Sequence, residues 1–159
     1  MPVSATPRSN TPIRIRTATS NDVPTILALE QASPAASHWT AEQYKCRVQS
    51  PVQDACFLVA ERAGSVCGFL CARIVAGEWE IENVVVAEKF RRQGIAAELM
   101  RSLIAEWEES AGTAILLEVR ESNAAARALY TKCGLHETGH RRGYYREPVE
   151  DAVLYACHR

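Results

Sequence analysis

Residues 84–97 read VVVAEKFRRQGIAA: the end of an apolar strand, a basic turn and the start of an amphipathic helix. The first backbone N–H groups of a helix lack partners within it and attract anions. Arg91 and Arg92 add positive charge to this turn, and Gly94 lets the backbone approach a ligand closely. The pattern predicts an anion-binding loop whose natural occupant is a pyrophosphate, and a basic helix start on the surface is the ordinary alternative.

Outward from this loop, apolar periodicity predicts an alternation of strands and helices. β-Rich runs separated by short turns precede the loop and indicate an antiparallel meander. A helical stripe of apolar residues follows it, and then an apolar run typical of a strand beside a parallel neighbour. The predicted strands are 13–17, 55–61, 66–76, 79–86, 114–119, 135–142 and 152–157, and the predicted helices begin near residues 23, 40, 95 and 123.

This order of elements predicts an α/β (α+β) fold with a mixed, mostly antiparallel central sheet. The strand–helix–strand unit at 79–119 provides a central parallel βαβ step, and helices are expected on both faces. Residues 1–12 are rich in Ser, Thr and Pro without apolar periodicity, so we expect a flexible tail. Residues 13–159 show no internal repeat and are expected to form a single domain.

Composition excludes several classes of protein. The 159 residues are 47% hydrophobic and 23% charged, the balance of a soluble globular protein. A net charge of −1 argues against binding of nucleic acid through its phosphates. No apolar run has the length of a signal peptide or of a ~20-residue membrane span, so we expect a cytoplasmic location. The six cysteines include no C-x-x-C pair, which argues against zinc, and we expect them to be reduced core residues.

Several stretches of the chain resemble one enzyme family. The anion-binding loop is similar to the pyrophosphate loop of the GNAT superfamily of acyl-CoA N-acyltransferases. A longer segment resembles the ribosomal-protein-alanine N-acetyltransferases almost position for position, and the resemblance covers roughly residues 13–157. The matching stretches are RRQGIA at 91–96, LEVRESNAAARALY at 117–130, RRGYY at 141–145 and SHWT at 37–40.

The residues of the longer segment suit acetyl transfer to an amine. A peptide α-amine has a pKa near ~8, so at neutral pH a base must take its proton before it attacks a thioester. Glu118 is a carboxylate in an apolar strand, where partial desolvation would favour general-base work, and an ion pair with Arg120 is the ordinary alternative. Tyr130 lies seven residues beyond Asn123 and has the reach to protonate a leaving thiolate, and packing of its ring in the core is the ordinary alternative.

The resemblance implies direct transfer from acetyl-CoA in a ternary complex, with Glu118 as proton acceptor and Tyr130 as general acid. It also implies that the backbone of strand 79–86 pairs with the pantetheine arm and that one of its N–H groups polarises the thioester carbonyl. Asn123 is expected to contact the cofactor and to cap a helix. The predicted cofactor-binding residues are Val84, Val85, Val86, Arg91, Arg92, Gln93, Gly94, Ile95, Ala96, Ala97 and Asn123. Relatives often have Gly and Arg where this chain has Ala96 and Ala97, which removes one possible cationic contact with the cofactor.

A protein N-terminus is an extended peptide, so its site needs aromatic walls and acidic partners for its positive end. Trp39, Tyr144 and Tyr145, together with Tyr44, are candidates for the walls. Glu80 and Glu82 are expected to share a strand face with Val84 and Val86 by two-residue alternation. The ordinary alternatives are core packing for the aromatic residues and a solvated face for the glutamates.

Three functions follow from these observations. The first is acetylation of a protein N-terminus, with the alanine of a small-subunit ribosomal protein as acceptor, by a monomer or weak dimer without metal, direct nucleic-acid contact or membrane. The second keeps the chemistry but takes a lysine side chain or a small-molecule amine. The third is a non-catalytic acyl-CoA-binding regulatory domain, which would need neither Glu118 nor Tyr130. An acyl-cysteine route is disfavoured because no cysteine stands in a recognisable constellation with a histidine.

Overall fold

The computed structural model of the protein describes residues 11–159. Of the predicted tail, residues 1–10 lie outside this range. The strands are β1 (Ile13–Thr17), β2 (Ala55–Arg62), β3 (Ser65–Val75), β4 (Glu78–Val86), β5 (Ala114–Arg120), β6 (His136–Arg146) and β7 (Val149–His158). The helices are α1 (Val23–Gln31), α2 (Ala41–Val48), α3 (Ile95–Glu109) and α4 (Ala124–Lys132). The predicted order of strands and helices is confirmed.

The seven strands form one sheet in the order β1-β2-β3-β4-β5-β7-β6. Every neighbouring pair is antiparallel except β4 and β5, which are parallel and are joined through α3. The prediction of a mixed, mostly antiparallel sheet with one central parallel step is therefore confirmed.

The parallel pair separates before its strands end. The ladder between β4 and β5 runs from Glu78 opposite Ala114 to Ile81 opposite Leu117 and stops there. Strand β4 continues to Val86 beside β3, and β5 continues to Arg120 beside β7. The centre of the sheet therefore opens into a wedge in which one edge of β4 is free to pair with a ligand.

Helices cover both faces of the sheet, as predicted. The amphipathic α3 buries its apolar stripe on one face, where Tyr130 of α4 also packs. Helices α1 and α2 cover the other face, where Ile26 and Tyr44 meet Phe57 and Phe69. Full burial of a large apolar side chain stabilises the fold by about 1.5–3 kcal/mol, and α3 contributes Ile95, Leu99, Met100, Leu103 and Trp107.

A β-bulge in β4 changes the face on which side chains lie. Across β3, Cys71 pairs with Asn83 and the next residue, Ala72, pairs with Ile81, so Glu82 is the extra residue. Before the bulge Ile81 packs against the core under α3, and after it Val84 packs against the same core.

The bulge overturns one expectation from the sequence. Val84 and Val86 pack on the α3 side of the sheet, whereas Glu82 reaches Arg47 of α2 on the opposite side. Glu80 alternates with Trp79 and Ile81 of the α3 core and so shares the face of Glu82. The prediction that the two glutamates share a face with the two valines is therefore wrong, because an extra residue reverses the alternation.

The C-terminal hairpin is longer than predicted. Strand β6 continues to Arg146, whereas the sequence indicated a link at 143–148. Between the pairs Arg141–Ala152 and Tyr145–Glu150, the register shifts around Gly143, which has a φ of +57° and donates its N–H to Asp151 Oδ1 at 2.8 Å. The glycine therefore marks a bulge within the strand rather than its end, and this bulge keeps Tyr144 and Tyr145 in the hairpin.

The cysteines are less uniform than expected. All six, which lie within residues 11–159, are unpaired. Cys56, Cys67 and Cys71 are buried as predicted, whereas Cys46 is exposed on α2 and is not a core residue. In the same range no group of three or more His, Cys, Asp or Glu side chains is arranged to hold a metal ion. No helix there is long and apolar enough to cross a membrane, since α3 has 15 residues against the ~20 required.

Gly112, after α3, is a close-packing glycine whose replacement should destabilise the fold. A Cβ at this position would lie 2.4 Å from Cδ1 of Trp107, which is buried in the core. We expect Gly112→Ala to lower the free energy of unfolding by about 1–3 kcal/mol because the indole must move. Gly139→Ala is the matched control, since its Cβ would meet nothing within 4 Å. Urea unfolding of both variants checks the expectation, and equal stabilities would contradict it.

Asp22, before α1, should contribute stability that depends on pH. Its carboxylate accepts two hydrogen bonds from Arg16, at 2.8 and 2.9 Å, and one from the backbone N–H of Thr19. The Arg16 guanidinium lowers the pKa of Asp22, so this stability is present above the unfolded-state pKa of about 4 and is lost as pH falls through the folded-state pKa.

We therefore expect Asp22→Asn to lower the free energy of unfolding by about 2 kcal/mol at pH 7. The difference from the wild type should shrink below about pH 4, where the wild-type carboxyl also becomes neutral. Denaturant titrations of both proteins from pH 3 to pH 7 measure this difference in the free energy of unfolding. A difference that stays constant over this range would exclude the charge as its cause.

Candidate active site

A cleft of about 750 Å³ occupies the wedge between β4 and β5. Its walls are the segment between α1 and α2, residues 34–39, and the tip of the β6–β7 hairpin, residues 144–147. The structure brings together here nine of the residues that the sequence singled out. They are Trp39, Glu80, Glu82, Val84, Glu118, Asn123, Tyr130, Tyr144 and Tyr145.

Glu118 lies on β5 one residue beyond the last β4–β5 pair, where the wedge begins. Its carboxylate forms an ion pair with Arg141 of β6, with 2.9 Å between Oε1 and Nε. Arg120, the alternative partner suggested by the sequence, pairs instead with Glu150 of β7. The Glu118 side chain is 24% exposed and that of Arg141 56%, so the carboxylate is the more buried partner of this ion pair.

Tyr130 reaches the same cleft from α4. Its ring is buried, 6.0 Å from that of Tyr155, and burial raises the pKa of its phenol above the ordinary value of 10.0. Within residues 11–159 its hydroxyl has no hydrogen-bond partner. The phenol therefore keeps its proton at neutral pH and is free to donate it to a group in the cleft.

The anion-binding loop follows β4. A 3-10 turn at Glu88–Phe90 leads to Arg92 and Gly94, whose φ angles are +60° and +79°, and α3 begins at Ile95. In the described part of the chain, no backbone N–H of residues 92–97 is hydrogen-bonded to another protein group. Such a run of free donors at a helix start fits a diphosphate.

A second cavity of about 480 Å³ lies beside this loop. Val86 and Arg91 line it, whereas Val84 lines the first cleft, so the end of β4 runs between the two cavities. Arg91 also donates from Nε to the carbonyl of Val86 at 3.2 Å. Neither cavity is lined by the other predicted loop residues, which are Arg92, Gln93, Gly94, Ile95, Ala96 and Ala97. Ile95 is buried in the core under α3, and Val85 is buried on the other side of the sheet.

The sequence profile of the acetyltransferase (GNAT) family matches residues 23–135. The chain belongs to the GNAT family of acetyltransferases. A protein of Escherichia coli (strain K12) named [ribosomal protein bS18]-alanine N-acetyltransferase is 38% identical over 95 residues, 58% of this chain and 64% of that protein. A protein of Bacillus subtilis (strain 168), which carries the same name provisionally, is 33% identical over 125 residues, 78% of this chain and 82% of that protein. The crystal structure of the Escherichia coli ribosomal-protein-S18-alanine N-acetyltransferase superposes with a TM-score of 0.80 at 29% identity, covering 92% of this chain and 93% of that one.

In this GNAT protein the two hairpin tyrosines lie in the cleft with Glu118. The two rings of Tyr144 and Tyr145 meet edge to face at 5.2 Å. A hydrogen bond to Glu118, followed by burial, raises the pKa of Tyr144, whose ring lies 5.7 Å from the Arg141 guanidinium. The Arg120 guanidinium lies 4.2 Å from the Tyr145 ring. The wall of the cleft beside Glu118 is therefore aromatic, and each of its two rings lies against an arginine guanidinium.

The GNAT cleft contains a second partly buried carboxylate, Glu82. Its Oε1 accepts a hydrogen bond from Arg47 Nη2 at 2.8 Å, and Cys71 Sγ lies 3.8 Å from Oε2. Desolvation raises the pKa of Glu82, although Arg47 opposes the shift. Glu80, in contrast, has a side chain that is 42% exposed, and it pairs with Arg73.

The structure shows the surroundings of two further predicted residues, Asn123 and Tyr44. Asn123 lines the cleft and also caps α4, since its side chain accepts the N–H of Ala126 at 3.2 Å. Tyr44 does not line the cleft, so its prediction as a wall is wrong. Its ring is fully buried against Phe57 and Phe69 because α2 packs on that face of the sheet.

Three arginines organise the GNAT site through contacts that the sequence does not predict, although Arg141 itself belongs to the RRGYY stretch at 141–145. Arg141 binds Glu118 and Arg47 binds Glu82, in each case from a distant element. Arg62, at the end of β2, is buried, donates to Oε1 of Gln93 in the anion-binding loop and lies 5.7 Å from the Phe90 ring. These contacts join residues between 23 and 35 positions apart, and no local pattern reports them.

Proposed function

We propose that this protein transfers the acetyl group of acetyl-CoA to the α-amine of a protein N-terminus, the alanine of a small-subunit ribosomal protein. The observation that carries the proposal is that Glu118 and Tyr130 line one cleft at the wedge where β4 is unpaired. The names of the relatives from Escherichia coli and Bacillus subtilis support this acceptor.

The free backbone donors of residues 92–97 suit the diphosphate of acetyl-CoA, and Arg91 adds positive charge beside them. The unpaired edge of β4 suits the amide groups of the pantetheine arm, which would extend it from the second cavity to the cleft. The thioester would then lie near Val84, where a backbone N–H can polarise its carbonyl.

The proposed reaction uses one proton acceptor and one proton donor. Glu118 takes a proton from the α-ammonium group, and the resulting amine attacks the thioester carbonyl to form a tetrahedral intermediate. When the carbon–sulfur bond breaks, Tyr130 gives its proton to the departing thiolate, and the nitrogen, which still carries two protons, releases one of them to water as the amide forms. The protonated Glu118 and the deprotonated Tyr130 then return to their starting states by exchange with solvent.

The cleft suits an extended chain with a positive end. Trp39 lies on one side, and Tyr144 and Tyr145 lie on the other. Glu80 and Glu82 supply negative charge along the strand between these walls. We propose that these five residues hold the first residues of the acceptor, and that the enzyme works in the cytoplasm as a monomer or weak dimer.

Intact-mass detection of acetyl transfer to three peptides tests the proposal. The first has a free N-terminal alanine and no lysine, the second is the same peptide with a blocked N-terminus, and the third is blocked but contains lysine. Acetylation of the first peptide alone is expected. Transfer only to lysine would move the assignment to side-chain amines, and binding of acetyl-CoA without any transfer would favour a regulatory domain.

A further inference from the structure

A buried polar network joins α1, α2 and the bulge of β4 behind the cleft. Tyr44 donates its hydroxyl hydrogen to Glu30 Oε1 at 2.8 Å and accepts a hydrogen bond from Asn83 Nδ2 at 2.8 Å. The same Glu30 oxygen accepts the backbone N–H of Trp39 at 2.5 Å. Glu30 is 1% exposed, Tyr44 0% and Asn83 6%, so water does not compete for these bonds.

The network fixes a segment that has few apolar anchors of its own. Between α1 and α2, residues 34–39 line the cleft, and Ser37 and His38 are exposed, with His38 at a φ of +56°. Ser37 Oγ donates to the carbonyl of Glu82 at 2.9 Å. Loops that form binding sites depend on a rigid support for their position, and here the polar contacts supply it.

A second group of contacts ties the same segment to the bulge. The Arg47 guanidinium lies 5.5 Å from the Trp39 ring while it binds Glu82. Trp39 and Glu82 face the cleft, whereas Glu30, Tyr44 and Arg47 lie behind it. A change at Glu30 or Tyr44 would therefore move the wall of the cleft without removing any group that lines it.

A core built only for stability would not need these groups. Burying a carboxyl among neutral donors is costly, and an apolar side chain of similar volume often serves stability as well or better. Glu30 instead places one carboxylate oxygen where it accepts both the backbone N–H of Trp39 and the hydroxyl hydrogen of Tyr44. This arrangement sets the position of Trp39 relative to the bulge of β4.

We propose that Glu30 and Tyr44 are positioning residues for the acceptor peptide, holding the 34–39 segment against the β4 bulge so that Trp39 and Glu82 frame the incoming N-terminus. The proposal rests on the function proposed above, since it assigns this half of the cleft to the acceptor. It predicts a defect in acceptor use with no defect in acetyl-CoA binding.

The sharpest variant is Tyr44→Phe, which removes one hydroxyl and leaves Glu30 and Asn83 without their shared partner. At a temperature well below unfolding, we expect kcat/KM for the alanine peptide to fall about tenfold, mainly through KM, because the wall is displaced. The dissociation constant of acetyl-CoA, measured by calorimetry, should not change. Tyr155→Phe is the matched control: its hydroxyl accepts from Arg127 at 3.2 Å and does not line the cleft, so its kinetics should match the wild type.

Two substitutions of Glu30 separate positioning from folding. Glu30→Gln keeps an acceptor oxygen for Trp39 and Tyr44, whereas Glu30→Met fills the space without one. We expect the acceptor KM to rise much more in Glu30→Met than in Glu30→Gln. An acceptor KM that stays at the wild-type value in Tyr44→Phe and Glu30→Met, even with a lowered melting temperature, would show a purely structural role and overturn the proposal.

Fluorescence provides a readout that does not require acetyl transfer. Trp79 and Trp107 are buried, so acrylamide quenching reports mainly on the half-buried Trp39. We expect greater quenching in Tyr44→Phe than in the wild type and Tyr155→Phe. Unchanged quenching would overturn the inference even if the enzyme is active, and increased quenching would support it even if the wild type proves to use another amine.

Discussion

Glu118→Gln is expected to lower kcat for the alanine peptide by about 100-fold or more, because an amide cannot accept the proton of the α-ammonium group. The substitution keeps the size of the side chain at the start of the wedge. It does not touch the anion-binding loop, so calorimetry should give the wild-type affinity for acetyl-CoA. The measurement is kcat at saturating concentrations of both substrates, read by intact mass of the peptide.

Glu98→Gln is the control for this prediction. Glu98 is a carboxylate of α3 that pairs with Arg101 and does not line the cleft, so the variant should retain wild-type kcat. Retention of activity in Glu118→Gln together with its loss in Glu82→Gln would contradict the assignment. The base would then be Glu82, whose pKa burial raises and which lies in the same cleft.

Tyr130→Phe has the second largest expected effect, a fall in kcat of about 100-fold, because the departing thiolate loses its proton donor. The hydroxyl has no protein partner within residues 11–159, so its removal should leave the melting temperature and acetyl-CoA affinity almost unchanged. Kinetics, thermal unfolding and calorimetry on one preparation measure all three quantities.

The neighbouring Tyr155 provides the control for this role. Its ring packs 6.0 Å from that of Tyr130, but its hydroxyl binds Arg127 instead of facing the cleft. Tyr155→Phe should therefore keep the wild-type kcat. If Tyr130→Phe were as active as Tyr155→Phe, the phenol would be only a packing residue, as the ordinary interpretation of the sequence holds.

Local sequence was a reliable guide to the elements themselves. The switch from two-residue to helical periodicity after residue 94 located α3, and the Thr40–Gln43 capping box that marks the start of α2 is present in the structure. The sequence predicts too short a hairpin because a glycine at 143 suggests a link between strands, whereas Gly143 supports a bulge inside β6. A glycine shows that the backbone can take a positive φ, but not whether a strand ends or bulges there.

The candidate site was predictable where one segment carries its chemistry. Glu118, Asn123 and Tyr130 belong to a single strand–turn–helix stretch, and their approach to one cleft follows from it. The charges around them come from elsewhere in the chain. Arg141 binds Glu118 only because β7 brings β6 to that edge of the sheet.

Local patterns in the sequence are sufficient to predict the order of strands and helices, the parallel step, the free donors of the anion-binding loop and the family. Periodicity, turn residues and helix starts depend on neighbours a few positions apart. A short motif likewise specifies its own backbone conformation through local interactions. The bulge at Glu82, the reversed faces of β4 and the burial of Tyr44 beneath the cleft are visible only in the folded chain. These features depend on cross-strand register and on which helix packs on which face, and such contacts form only when distant segments meet.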